Sequence, residues 1–137
     1  MHTKNRNMLV YWLPLAVYCA AIFVQSSRPA SVALSGWYAG DKLLHLVGYS
    51  VLGALSVRAM GTLKLRENQY LLVAVSILFC ILYGISDEIH QYFVPSRQAD
   101  VMDALFDGLG GALGVVLYLF MEKRLLNLAT RIPGLTK

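Results

Sequence analysis

The 137 residues are 57% hydrophobic and 15% charged, too apolar for an ordinary soluble domain, where the apolar share is about 45–50%. That excludes a water-soluble enzyme and points to one small integral membrane protein. The net charge of +4 reads as a topology signal, not as a nucleic-acid footprint, because the basic residues gather in loops and tails beside apolar runs.

No charge occurs in 7–27 or in 68–86, runs of 21 and 19 residues, each long enough to cross a hydrocarbon core of ~30 Å at ~1.5 Å per residue. Lys4 and Arg6 precede the first run, and no small-x-small cleavage pattern follows Val24, so an uncleaved first span is expected. The connection 25–40 is rich in turn formers, with Trp37 and Tyr38 set for an interfacial aromatic belt and for contact with an apolar part of a ligand. The second apolar run, 43–57, and the fourth, 108–121, are short at 15 and 14 residues. Snorkelling by Arg58 extends the second, and the fourth must begin near Ala104, carrying Asp107 to membrane depth or its edge. The expected fold is an all-α, four-helix membrane bundle forming a single domain over 1–137, with spans near 8–26, 43–62, 69–90 and 103–121. Cys19 and Cys80 lie mid-span as apolar fillers, so neither a disulfide framework nor a zinc site is implied.

Nine of the twelve Lys and Arg residues fall in the N-terminus, the 58–67 connection and the C-terminal tail. This bias predicts both termini in the cytoplasm and places 28–42 and 87–103 outside. Six of the eight acids, Asp41, Asp87, Glu88, Asp100, Asp103 and Asp107, then lie on the outer side with only Arg28, Lys42 and Arg97, a deficit of three positive charges. An ionised group near the bilayer centre costs roughly 2.5–3.5 kcal/mol on insertion scales, so such carboxylates must be paired, protonated or matched by a ligand.

Helical spacing gathers them further. Asp100, Asp103, Asp107, Gly110 and Gly114 follow steps of 3, 4, 3 and 4 and share one stripe, whose glycines let another helix approach closely. Asp41, His45, Gly48 and Leu52 form a stripe on the second helix with Tyr49 beside it and Lys42 one step round. The third helix offers Gly84, Glu88 and Gln91 beside Tyr83, Asp87 and His90. A small bundle can bring Asp41, His45, Glu88, Gln91, Arg97 and the acids of the last helix round one pocket. Other readings stay open. Asp100 and Asp103 suit the N-terminal end of a helix, and His45 suits a hydrogen bond to Asp41 as well as catalysis. Arg97 and Lys42 are the expected counter-charges. The remaining deficit suggests protonated His45 or His90, a cationic ligand group, or a divalent cation with Asp41, His45, Glu88 and Asp103 as candidate ligands.

Three separated motifs resemble the VanZ-like family of small bacterial membrane proteins. They are Asp41-Lys42-Leu43-Leu44-His45 followed by Tyr49, Leu52 and Gly53; Asp87-Glu88-Ile89-His90-Gln91-Tyr92-Phe93-Val94-Pro95-Ser96-Arg97; and Asp100, Asp103, Asp107 with the glycines to Gly114. The family pattern carries over to Asp41, Lys42, His45, Glu88, Gln91, Arg97, Asp100 and Asp103. Asp107 stands where the family's last motif has Asn, and Asp87 and His90 lie outside the pattern. The resemblance implies a multi-span helical fold in the bacterial inner membrane and an association with reduced susceptibility to glycopeptides such as teicoplanin, but no settled reaction. The residue reading expects Asp41, Lys42, His45, Glu88, Gln91, Arg97, Asp100, Asp103 and Asp107 to bind a polar group of the envelope, such as that of a lipid-linked cell-wall precursor, and the resemblance adds a glycopeptide as a candidate partner. The lipid bilayer is the expected surroundings, and nucleic acid is not an expected partner. Its alternatives are an intramembrane enzyme, metal- or acid/base-dependent, acting on an envelope lipid, and a proton-coupled lipid or ion carrier.

Overall fold

A computed structural model describes residues 8–28, 38–95 and 97–131. A π-helical turn, Met8–Trp12, leads into α1, Leu13–Ser26. The helices α2, Tyr38–Met60, α3, Gln69–Tyr92, and α4, Val101–Arg131, follow, with one 3-10 turn, Lys64–Glu67, between α2 and α3. Among the described residues there is no strand, and four segments are long and apolar enough to cross a membrane: Leu9–Ser26, Gly40–Met60, Gln69–Tyr92 and Val101–Thr130. The expectations attached to Lys4, Arg6 and Trp37, and to the Tyr38 side chain, lie outside what is described.

The second and fourth spans differ most from their expected bounds, and the third runs two residues past its expected end, to Tyr92. The second begins before residue 43, because Asp41 in the first turn of α2 suits the positive end of the helix dipole and continues the helix rather than marking its edge. It stops at Met60 rather than 62, where Gly61 and Thr62 turn back onto the carbonyls of Val57 and Ala59. The fourth does not end at 121. Charges at 122–124 mark departure from an apolar environment, but no glycine or proline interrupts the chain there, so the helix runs on for 31 residues in all. The third starts where expected, with the Asn68 side chain accepting from the Leu71 N–H at 3.1 Å, a helix N-cap. It ends three residues before Pro95.

Successive helices alternate in direction. Ser26 at the end of α1 meets Asp87 near the end of α3, and Lys42 at the start of α2 meets Asp100 and Asp103 at the start of α4. The opposite end is marked by Trp12 on Thr62 and by an Arg66–Glu122 ion pair. The closest pair is α2 with α4, and the glycine stripe explains why. A Cβ at Gly110 would run into the Leu46 carbonyl, one at Gly114 into the Ser50 carbonyl, and one at Gly53 into Gly111. Only backbone fits between these helices, the close approach that small-xxx-small spacing permits. Leu15, Tyr49, Leu52, Ala59 and Cys80 form one core cluster, and Val57, Met60, Leu72 and Val115 another.

The outer surface is inverted relative to a soluble protein. On α2, Leu43, Leu44, Val47 and Val51 face out while Lys42, Tyr49 and Leu52 are buried. On α3 the buried row is Leu72, Ser76, Cys80, Gly84, Asp87, Glu88 and Gln91, so its polar end points inward. Apolar side chains cover the outside and carboxylates sit inside, the arrangement a lipid surround requires.

Candidate functional site

The site forms where the starts of α2 and α4 meet the ends of α1 and α3. Its residues divide into three linked groups.

The first is organised by Lys42, whose buried ammonium bonds Asp100 at 2.6 Å and also Asp103. Asp100 has two further tasks. Its Oδ1 accepts from the Met102 N–H at 2.9 Å, capping α4, and its own N–H donates to Glu88 Oε2 at 2.9 Å, tying the start of α4 to α3. Helix capping and ion pairing are therefore combined in one residue. The Lys42 hydrogen bond, then the Met102 N–H, hold its carboxyl below the usual carboxylate range. Asp103, expected as a candidate for the first turn's dipole interaction, instead turns inward and is buried.

The second group surrounds His45. Its Nδ1–H donates to Asp107 Oδ1 at 2.9 Å, and its Nε2 lies 3.8 Å from Asp103 Oδ2. The partner of His45 is thus Asp107 on α4, and not Asp41 one turn back on its own helix. The reason lies in the tight α2–α4 approach, which seats the imidazole between two acids of the facing stripe. Asp107 is fully buried and lies against Gly84, where a Cβ would come within 2.8 Å of its side chain. Three oxygens here lack a hydrogen-bond partner among the described residues: Glu88 Oε1, Asp107 Oδ2 and Tyr49 Oη, in side chains 7%, 0% and 3% exposed. A buried polar atom left this way costs about 1–3 kcal/mol. Asp41 is half-buried beside them, and two triads offer mutually close donor atoms, all within 4.8 Å of one another: Asp41–His45–Asp103 and His45–Glu88–Asp107.

The third group lies towards α1. Asp87 Oδ2 accepts from Ser26 Oγ at 2.8 Å and from Gln91 Nε2 at 3.1 Å, while Ser27 Oγ meets His90 Nε2 at 2.9 Å. Ser26 lies in the turn-rich connection 25–40, which by itself gives it no part in the site. Its place at the end of the uncharged run 7–27, at the level of the α3 acids, is the signal that points to it. Gln91, predicted in the pocket, is buried but spends its amide on Asp87.

Arg97 does not supply the expected counter-charge. Its guanidinium donates to the backbone carbonyls of Arg28 at 3.0 Å and Gln25 at 3.2 Å, and it forms no ion pair among the described residues. Its position after Pro95, on the side of the 25–28 connection, directs it there.

Between α3 and α4, on the lipid-facing side, an apolar groove of about 460 Å³ runs past Ile85, Ile89, Phe93 and Val101 and reaches Glu88 and Asp100. Of the groups just described, Glu88 and Asp100 belong to its lining. Comparison with known proteins gave a match of the family model VanZ/LLP1 over residues 3–122. Neither curated proteins nor solved structures gave a match.

Proposed function

Since the chain belongs to the VanZ/LLP1 family and is a multi-pass membrane protein, we propose that it binds a lipid-linked polar group of the cell envelope, at the outer side of the bacterial inner membrane. The single observation that carries this reading is that the apolar α3/α4 groove has Glu88 and Asp100 among its lining residues. An amphipathic ligand lays its chain in such a groove and its polar head against the acids, and recognition by an apolar wall with a few convergent polar groups is the general pattern of binding sites.

The chemistry of the head follows from what remains unmatched. Glu88 and Asp107 present oxygen acceptors, whereas Lys42 is already paired with two carboxylates and Arg97 with carbonyls. Hydroxyl and amino groups, as in a sugar or an amino-bearing headgroup, satisfy acceptors of this kind. Phosphate is the less suitable partner for the deepest part of the site. The placement on the outer side rests on the Lys/Arg bias of the loops, and an influence on teicoplanin susceptibility belongs to the same proposal.

Purified protein titrated with a lipid-linked cell-wall precursor should gain thermal stability, and the gain should disappear in Glu88→Gln and Asp107→Asn while persisting in Arg97→Gln. Cells carrying the wild-type chain should differ in teicoplanin susceptibility from cells carrying Glu88→Gln at equal membrane abundance. Equal stabilisation of all four proteins would reject this site.

A further inference from the structure

We propose that His45, Glu88 and Asp107 form a binding site for a divalent metal ion of mixed nitrogen and oxygen preference, Zn²⁺ or Mn²⁺. The three residues come from three helices, α2, α3 and α4, and each can place a donor atom within 4.8 Å of the other two. Ligands on opposite sides of a metal at bond lengths of about 2.0–2.4 Å stand no more than about 4–5 Å apart, so small side-chain adjustments bring these atoms onto one ion.

Proximity of acids alone would not carry the assignment. Here two of the donors have an oxygen that nothing in the described structure satisfies, Glu88 Oε1 and Asp107 Oδ2, in side chains more than nine-tenths buried. A third such oxygen, Tyr49 Oη, belongs to the adjoining turn of α2. A metal would take the place of the His45 Nδ1 proton that bridges to Asp107 Oδ1, while Glu88 keeps one oxygen fixed from outside, Oε2 by the Asp100 N–H. Such an outer contact orients a carboxylate so that its other oxygen is available to a metal. The competing triad, Asp41–His45–Asp103, lacks this property, because Asp103 is bonded to the Lys42 ammonium, whose charge repels a cation. One imidazole with two carboxylates suits Zn²⁺ or Mn²⁺ better than Mg²⁺ or Ca²⁺, which favour all-oxygen surroundings.

The site shares residues with the proposed ligand pocket but does not depend on it, since a metal is bound or not in the absence of any lipid-linked molecule. The test is calorimetric titration of tag-free, chelator-dialysed full-length protein in detergent with Zn²⁺ and Mn²⁺, and with Mg²⁺ and Ca²⁺ for comparison, each ion alone. One Zn²⁺ or Mn²⁺ ion per chain is expected, with affinity weakened about tenfold or more in Asp107→Asn and in Glu88→Gln, and unchanged in Arg97→Gln. If Asp107→Asn does not fold, Glu88→Gln decides. X-ray absorption at the metal edge of the wild-type complex should show one imidazole among oxygen ligands. No binding of either Zn²⁺ or Mn²⁺, equal binding by wild type and Glu88→Gln, a shell of oxygen only, or stronger binding of Mg²⁺ or Ca²⁺ would each overturn the assignment.

Discussion

The His45 imidazole separates two acids that the fold treats differently. On its Nε2 side Asp103 is answered by Lys42; on its Nδ1 side stands Asp107, which like Glu88 keeps a buried oxygen with no partner among the described residues. The first half resembles a structural tie between the starts of α2 and α4. The second retains unsatisfied capacity, which a stable membrane core does not carry without use. The contrast teaches that acids sharing one stripe of α4 divide into a fastening and a receptor according to where a cation already sits.

The largest effect should come from breaking the fastening. Lys42→Ala leaves Asp103 buried without its ammonium, and loss of one partner of a buried pair costs about 3–5 kcal/mol, measurable by reversible unfolding in mixed micelles. If Lys42→Ala instead costs less than Asp107→Asn, the division between the halves is wrong. Next, Gly84→Ala places a methyl 2.8 Å from Asp107, and overpacking of this kind costs about 1–3 kcal/mol. It should also weaken ligand binding by displacing Asp107, whereas an alanine at an outward α3 position should do neither.

Smaller still is the stability change in Asp107→Asn. Removing a charge with an unmatched oxygen, while keeping shape and an acceptor for His45, should change stability by no more than about 1 kcal/mol yet abolish ligand-induced stabilisation. Binding lost with stability nearly intact would sharpen the comparison. Asp100 supplies a pH test. Its carboxyl lies below the usual range because Lys42 bonds it, so its contribution is present above the unfolded-state pKa and is lost as pH falls through the lowered folded-state value. Acid titration should show a stability loss in wild type that is reduced in Asp100→Asn. Arg97→Gln should have the least effect, below about 1 kcal/mol, since it removes hydrogen bonds near the surface only.

Much of this architecture could be read from residue spacing. Four helices and the inward stripe of α4 follow from apolar periodicity, because a glycine and carboxylate row cannot face lipid. The meeting of three helix ends also follows, since the acids cluster at matching ends of their spans. Pair assignments did not. That His45 takes Asp107 rather than Asp41, that Arg97 turns to the 25–28 carbonyls, and that Ser26 joins Asp87 all depend on the register between helices, which a single helical wheel does not contain. Helix bounds were misplaced for a related reason. Charge marks where an apolar environment ends, whereas the backbone continues until a turn residue such as Gly61 stops it.

The account turns on whether the unmatched half of the cluster receives a ligand. The most direct measurement is photo-crosslinking in living cells from position 92, at the groove wall, followed by mass spectrometry of the adduct. A single amphipathic envelope species is expected in otherwise wild-type protein and in Arg97→Gln, and its loss is expected in Glu88→Gln and Asp107→Asn. The same mixture of bulk phospholipids in every variant would contradict it.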